Sequence, residues 1–172
     1  MNTISVGQAY LFQAQEDLRA AKMVGSEIAN APSSFYMLLQ MVFEKLAKAY
    51  MFRNTNLLPK RFGHEAADKH FSKIIDAMIR TNPSKRKYYK YLIGLINELE
   101  AAQPSIAKTI SDNTPRLEYP WEDKKHSLCY PARDLPLVKR FYADENQART
   151  AWAALKFAQE YIRELAVLPP IP

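Results

Sequence analysis

SFYMLLQMVFEKLAKAYMF, residues 34–52, is apolar around so much of a helical circumference that only burial on several sides accommodates it. Leu38, Leu39, Val42, Phe43, Leu46, Ala49 and Tyr50 recur at intervals of three and four, one helical face widened into a broad stripe. The segment is expected to be the central helix of an all-α protein. Upstream, Tyr10, Leu11, Ala14, Leu18, Ala21, Val24 and Ile28 give Gln8 to Asn30 the same periodicity. Ala31-Pro32 stops that helix, and Ser33 and Ser34 are expected to cap the next.

Downstream, RNTNLLPKRFG from Arg53 combines Asn, Pro and Gly and reads as a loop of about ten residues. A third helix is expected from about His64, with Phe71, Ile74, Ile75, Met78 and Ile79 on one side, and Asn82-Pro83-Ser84 punctuates it. A fourth runs from about Ser84 to Ala102, or as far as Ile110, on a stripe of Tyr88, Tyr91, Leu92, Leu95, Ile96 and Leu99. Pro104 should bend or end it. The periodicity then dissolves. Pro115, Pro120, Pro131 and Pro136, with Tyr119, Trp121 and Tyr130 between them, predict a Pro- and aromatic-rich loop over 111–142, packed on the body. A last helix from about Ala143 to Val167 presents Ala148, Trp152, Leu155, Ile162 and Leu165. No alternating strand pattern or internal repeat interrupts this reading. The expectation is one domain over 1–172, an antiparallel bundle of about five helices.

Composition bounds the chemistry. The 172 residues carry 24 Lys+Arg against 18 Asp+Glu, a net charge of +6, and 48% hydrophobic content excludes a disordered chain. Four glycines argue against Gly-rich nucleotide loops, and the single Cys129 excludes an internal disulfide framework and any multi-thiolate zinc site. With three histidines, neither a metal nor a cofactor is expected. There is no apolar run of about 18 residues, and MNTISVGQAY lacks the basic-then-apolar pattern of a secretory leader. A soluble, cytoplasmic protein without a membrane partner is expected.

AQEDLRAAK in the first helix, FYMLLQMVFEKLAKAYM in the second, then a Pro-containing loop and a histidine, form a pattern that resembles the HEPN superfamily. The elements carrying it are Asp17-Leu18 and Ala21, Glu44-Lys45 with Lys48-Ala49, Pro59, His64, and the Leu117-Glu118-Tyr119-Pro120 stretch. The resemblance implies a small helical domain of a prokaryotic toxin–antitoxin or defence setting. It also implies a homodimer, a nucleotide or RNA ligand, and a nucleotidyltransferase partner. Ribonucleases of that superfamily carry an Arg followed, after four to six residues, by a His. Here Arg61 and His64 have two residues between them, Arg53 and His64 ten, and Arg116 and His126 nine, so the pair is absent.

Three groups of residues stand out as candidate sites. His64, beside Arg61 and near His70, has the near-neutral pKa of a general acid–base, and a metal-independent ribonuclease using His64 or His126 is the enzymatic alternative. The plainer alternative is a capping histidine. Lys45 and Lys48 share a helical face with Glu44 nearby, and read as phosphate contacts or as a solvated stripe. The richest signal is Arg80, Lys85, Arg86, Lys87 and Lys90, interleaved with Tyr88, Tyr89 and Tyr91, with no acid between Asp76 and Glu98. Bases neutralise phosphates and aromatic rings stack on unpaired nucleobases, so the mixture suits single-stranded nucleic acid. Against it stands a soluble helix start with Tyr88 and Tyr91 in the core. Asp134, Asp144 and Glu145 are expected to cap, and Cys129 to be an ordinary thiol. Tyr10, Phe12, Phe35, Tyr36 and Phe52 offer more aromatic surface than one bundle easily buries, which suggests a dimer through the first two helices. A purely structural dimerising module is the remaining alternative.

Overall fold

The computed structural model describes residues 4–53, 71, 74–76, 79–80, 83–101, 121–122, 125 and 127–167. Over these the chain is an all-α bundle. Helix α1 (Val6–Gly25) opens on a capping box: the Ser5 hydroxyl accepts from the Gln8 N–H at 3.2 Å, and the Gln8 side chain accepts from the Ser5 N–H at 2.8 Å. It ends at Gly25, short of Asn30, in a run of turns. Helix α2 (Pro32–Met51) begins on Pro32, whose missing N–H no first-turn bond requires. Ala31 precedes it without a side-chain cap, so Ser33 and Ser34 lie inside the helix instead of capping it.

α1 and α2 form an antiparallel hairpin. The Gly7 N–H donates to the Phe52 carbonyl at 3.1 Å, while Gly25 at the other end faces the Phe35 ring. A Cβ on Gly7 would stand 2.5 Å from the Arg53 Cα, closer than any side chain permits. A 3-10 turn (Pro83–Lys85) leads into α3 (Arg86–Ala101). Two-residue strands β1 (Trp121–Glu122) and β2 (Leu128–Cys129) pair antiparallel, a detail with no alternating signature in the sequence. Then come α4 (Pro131–Asp134), α5 (Pro136–Ala143) and α6 (Glu145–Val167).

Cross-helix contacts set the directions. Lys85 meets Glu160, Tyr89 meets Phe157 and Tyr91 meets Thr150, so α3 runs antiparallel to α6. Phe35 meets Trp152 and Phe43 meets Phe157, so α2 and α6 run the same way. α2 is central: Phe35, Tyr36, Leu39, Val42, Phe43 and Leu46 are each at most 1% exposed. Phe71, Ile74 and Ile75 are helical and buried, with the Phe71 ring edge-on to Phe43 at 5.1 Å, as the third stripe predicts.

Three expectations need correction. Residues 131–134 and 136–143 are helical, inside the stretch expected to be loop; Pro131 and Pro136 begin helices, a position where proline interrupts no bond. Phe35, Tyr36 and Phe52 are buried, so the supposed aromatic surplus reduces to half-buried Tyr10 and exposed Phe12. Trp152, placed in the core stripe of the last helix, is 42% exposed. Asp144 does cap α6, accepting from the Asn146 N–H at 2.9 Å. Among the described residues, no helix is long and apolar enough to cross a membrane.

Two glycines should respond to alanine with opposite signs. Gly7→Ala forces the hairpin apart against backbone and should destabilise by about 1–3 kcal/mol. Gly94→Ala, exposed within α3 with open space around it, should stabilise by about 0.5–1 kcal/mol. Urea unfolding followed by circular dichroism measures both.

Candidate nucleic-acid interface

The basic segment 83–91 spans the 3-10 turn and the first turns of α3. Every third or fourth residue from Tyr89 turns inward: Tyr89, Leu92, Ile96 and Leu99 are buried, and the Tyr89 ring meets Phe157 edge-on at 5.5 Å. Leu92, Leu95, Ile96 and Leu99 are buried as the expected stripe has them, and only its start differs: Tyr89 takes the inward place expected of Tyr88 and Tyr91. Tyr88 is therefore half-buried and Tyr91 is 53% exposed. Both hydroxyls are anchored on α6. Tyr88 donates to the Ala153 carbonyl at 2.7 Å, and Tyr91 lies 2.8 Å from the Thr150 hydroxyl. Because Thr150 uses its own proton on the Asn146 carbonyl at 2.9 Å, Tyr91 is the donor.

Ser84, Lys87, Tyr88, Lys90 and Tyr91 line an open groove of about 670 Å³. Lys85 pairs loosely with Glu160 at 3.6 Å, both side chains well exposed. Arg80, Arg86, Lys87 and Lys90 are exposed, with no carboxylate at ion-pair distance among the described residues. No acid stands in the first turn of α3, so its partly positive N-terminus adds to the cationic field. The groove offers two fixed aromatic rings among exposed cations.

The other sequence candidates fall elsewhere. Lys45 and Lys48 are neither a solvated stripe nor available to phosphates. Lys45 reaches across the hairpin to Asp17 at 2.7 Å, and Lys48 binds Glu44 one turn away; each side chain is largely buried. Gln13 donates to Asp17 at 3.1 Å, Gln40 to Glu44 at 3.3 Å, and the Lys48 ammonium sits 5.7 Å from the Tyr10 ring centre. Arg61, His64, His70 and His126 lie outside the described residues. Among the described residues no three His, Cys, Asp or Glu side chains gather to hold a metal. Cys129 is half-buried and its thiol points to the Ser127 carbonyl at 3.6 Å.

Sequence reasoning missed the anchors Thr150 and Ala153. Thr150 was a usable signal, a hydroxyl on the inward side of an amphipathic helix, where it needs a partner. Set against known proteins, the chain matches no family model, no curated protein and no solved structure.

The paired lysine and the tyrosines generate two predictions. Asp17→Leu leaves Lys45 uncompensated in the hairpin and should destabilise by about 3 kcal/mol, while the double variant with Lys45→Met should recover most of it. Denaturant titration of the four-protein cycle reads the coupling. Separately, burial raises the phenols of Tyr36 and Tyr88 from 10.0 to about 12. Above pH 10 the unfolded chain loses these protons and the folded chain keeps them, so their stabilisation is complete below pH 10 and is lost as pH rises towards 12. Urea midpoints should fall across that window, and less steeply in Tyr88→Phe.

Proposed function

We propose that this protein binds single-stranded RNA in the groove lined by Ser84, Lys87, Tyr88, Lys90 and Tyr91, as a helical domain of HEPN type. The observation that carries the reading is the exposed Tyr91 ring, held by its hydroxyl and flanked by Lys87 and Lys90, which have no counter-ion among the described residues. A cationic groove with an aromatic platform suits a flexible strand: phosphates take the charges, and any base presents a face for stacking. A duplex has its bases already stacked on each other and offers the ring nothing. The resemblance supports a defence or toxin–antitoxin setting with a nucleotidyltransferase partner and a homodimer, and those parts of the proposal rest on it alone. Binding without cleavage follows from the missing Arg–His spacing.

Affinity for an oligouridylate should fall steeply with salt, with a log–log slope of about −0.7 per phosphate contacted. Replacing Arg86, Lys87 and Lys90 together with Ala should weaken binding and flatten that slope by about 2, while helicity is retained because all three side chains face solvent. Fluorescence anisotropy at several salt concentrations measures it. Unchanged binding in the triple variant would reduce the cluster to a solvated surface, and RNA degradation lost in His64→Ala would replace binding by catalysis.

A further inference from the structure

The tyrosines of the groove lean on α6, and the solvent side of α6 continues the same chemistry. Ala153 accepts from Tyr88 and Thr150 from Tyr91, which fixes the side of α6 that faces α3. On the opposite flank, Trp152 lies against α1: a Cβ on Gly25 would stand 3.1 Å from the Trp152 ring, and the Phe35 ring centre is 6.3 Å from it. Gly25 is thus the notch that seats the indole while 42% of the residue remains in water.

Between these flanks stand Arg149 and Lys156. With Arg149 as the origin, a regular helix puts Lys156 about 20° and Trp152 about 60° to one side, and Ala153 about 40° and Thr150 about 100° to the other. Both cations are exposed, and neither has a carboxylate at ion-pair distance among the described residues. Among the described side chains, the acids on this side of α6 are Glu160, engaged by Lys85, and the exposed Glu164, with the exposed Arg163 beside it. From α3 to α1 the surface therefore reads cation, tyrosine, cation, tryptophan. An indole of that size left half in water, within a turn of two exposed cations, has a physical use if a flat, negatively charged ligand covers it.

We infer that the Arg149–Trp152–Lys156 face of α6 is the second half of the binding surface, so that a single strand of RNA leaves the α3 groove and crosses α6. Its phosphates lie on Arg149 and Lys156 and a base stacks on Trp152. This inference rests on the RNA reading of the α3 groove, and the experiment separates the two.

The probe is a labelled oligouridylate, followed by anisotropy and by tryptophan emission. Binding should quench the emission of the parent, and most of the quench should vanish in Trp152→Phe, which leaves Trp121 as the sole indole. Trp152→Leu keeps apolar bulk against Gly25 and should weaken binding on the order of tenfold through lost stacking. The double variant R149A/K156A should flatten the salt slope by about 1.4, about 0.7 for each phosphate released, and R149K/K156R should restore it. Circular dichroism confirms that each variant is folded. If R149A/K156A binds with the parental slope while R86A/K87A/K90A binds weakly, the strand stays on α3 and this inference fails alone. Failure of the parent to bind, or indifference to both variants, overturns the groove reading and this one with it.

Discussion

A lysine removed from water needs its counter-ion beside it, and the α1–α2 hairpin is built around that need. α2 is covered from several sides, yet it carries Glu44, Lys45 and Lys48 in its second half. Lys48 is neutralised within its own helix, whereas Lys45 is neutralised by Asp17 of α1. That cross-helix pair ties the rotation of one helix to the other, because turning either by one residue would leave a charge facing apolar groups. Gly7 and Gly25, at either end of α1, set the close approaches at the ends of the hairpin. With α2 locked, one of its faces presents Tyr36 to Phe141 and, two turns on, Phe43 to Phe71 and Phe157, and the remaining helices assemble on those rings.

Much of this architecture was legible in residues 34–52, because breadth of apolar surface reports how many neighbours a helix has. What escaped was whatever depends on a distant partner. Lys45 reads as a surface lysine until Asp17, 28 positions away, is placed opposite it. In α3, Leu92, Leu95, Ile96 and Leu99 are buried as their spacing predicts, but residues 88, 89 and 91 are all tyrosine, and spacing alone leaves open which of them extends the stripe. The tertiary structure chooses between them. The tyrosine whose position on the helix faces Phe157 goes inward, and the two whose hydroxyls can reach Ala153 and Thr150 stay at the rim.

Prolines misled for a related reason. Four of them between 115 and 136 signal a break in helical hydrogen bonding, and periodicity offers no way to tell a loop from a series of short helix starts. Pro131 and Pro136 are helix starts. The two short helices they open bring Leu135, Leu137 and Val138 into the core, and Arg140 of α5 binds Glu98 of α3. The candidate groove itself was visible as a cluster of charge and aromatic residues, since such a cluster needs no long-range partner to be recognised. The proposed extension onto α6 was not, because Trp152 in an amphipathic helix looks like core until Gly25 is found beneath it.

The anchoring of Tyr88 and Tyr91 also has a kinetic side. A free surface tyrosine samples several rotamers and must surrender them to become a platform, whereas these two surrendered theirs when the chain folded. In the proposed RNA complex the ordering entropy of stacking would fall on the incoming strand alone, so less of the contact energy would be lost on closing. Arrival is governed by long-range charge, which the ring does not alter. In that proposed complex the ring's rigidity would be expressed in how long a bound strand stays, so that cutting either hydroxyl anchor would shorten the residence time and leave the rate of capture as it was.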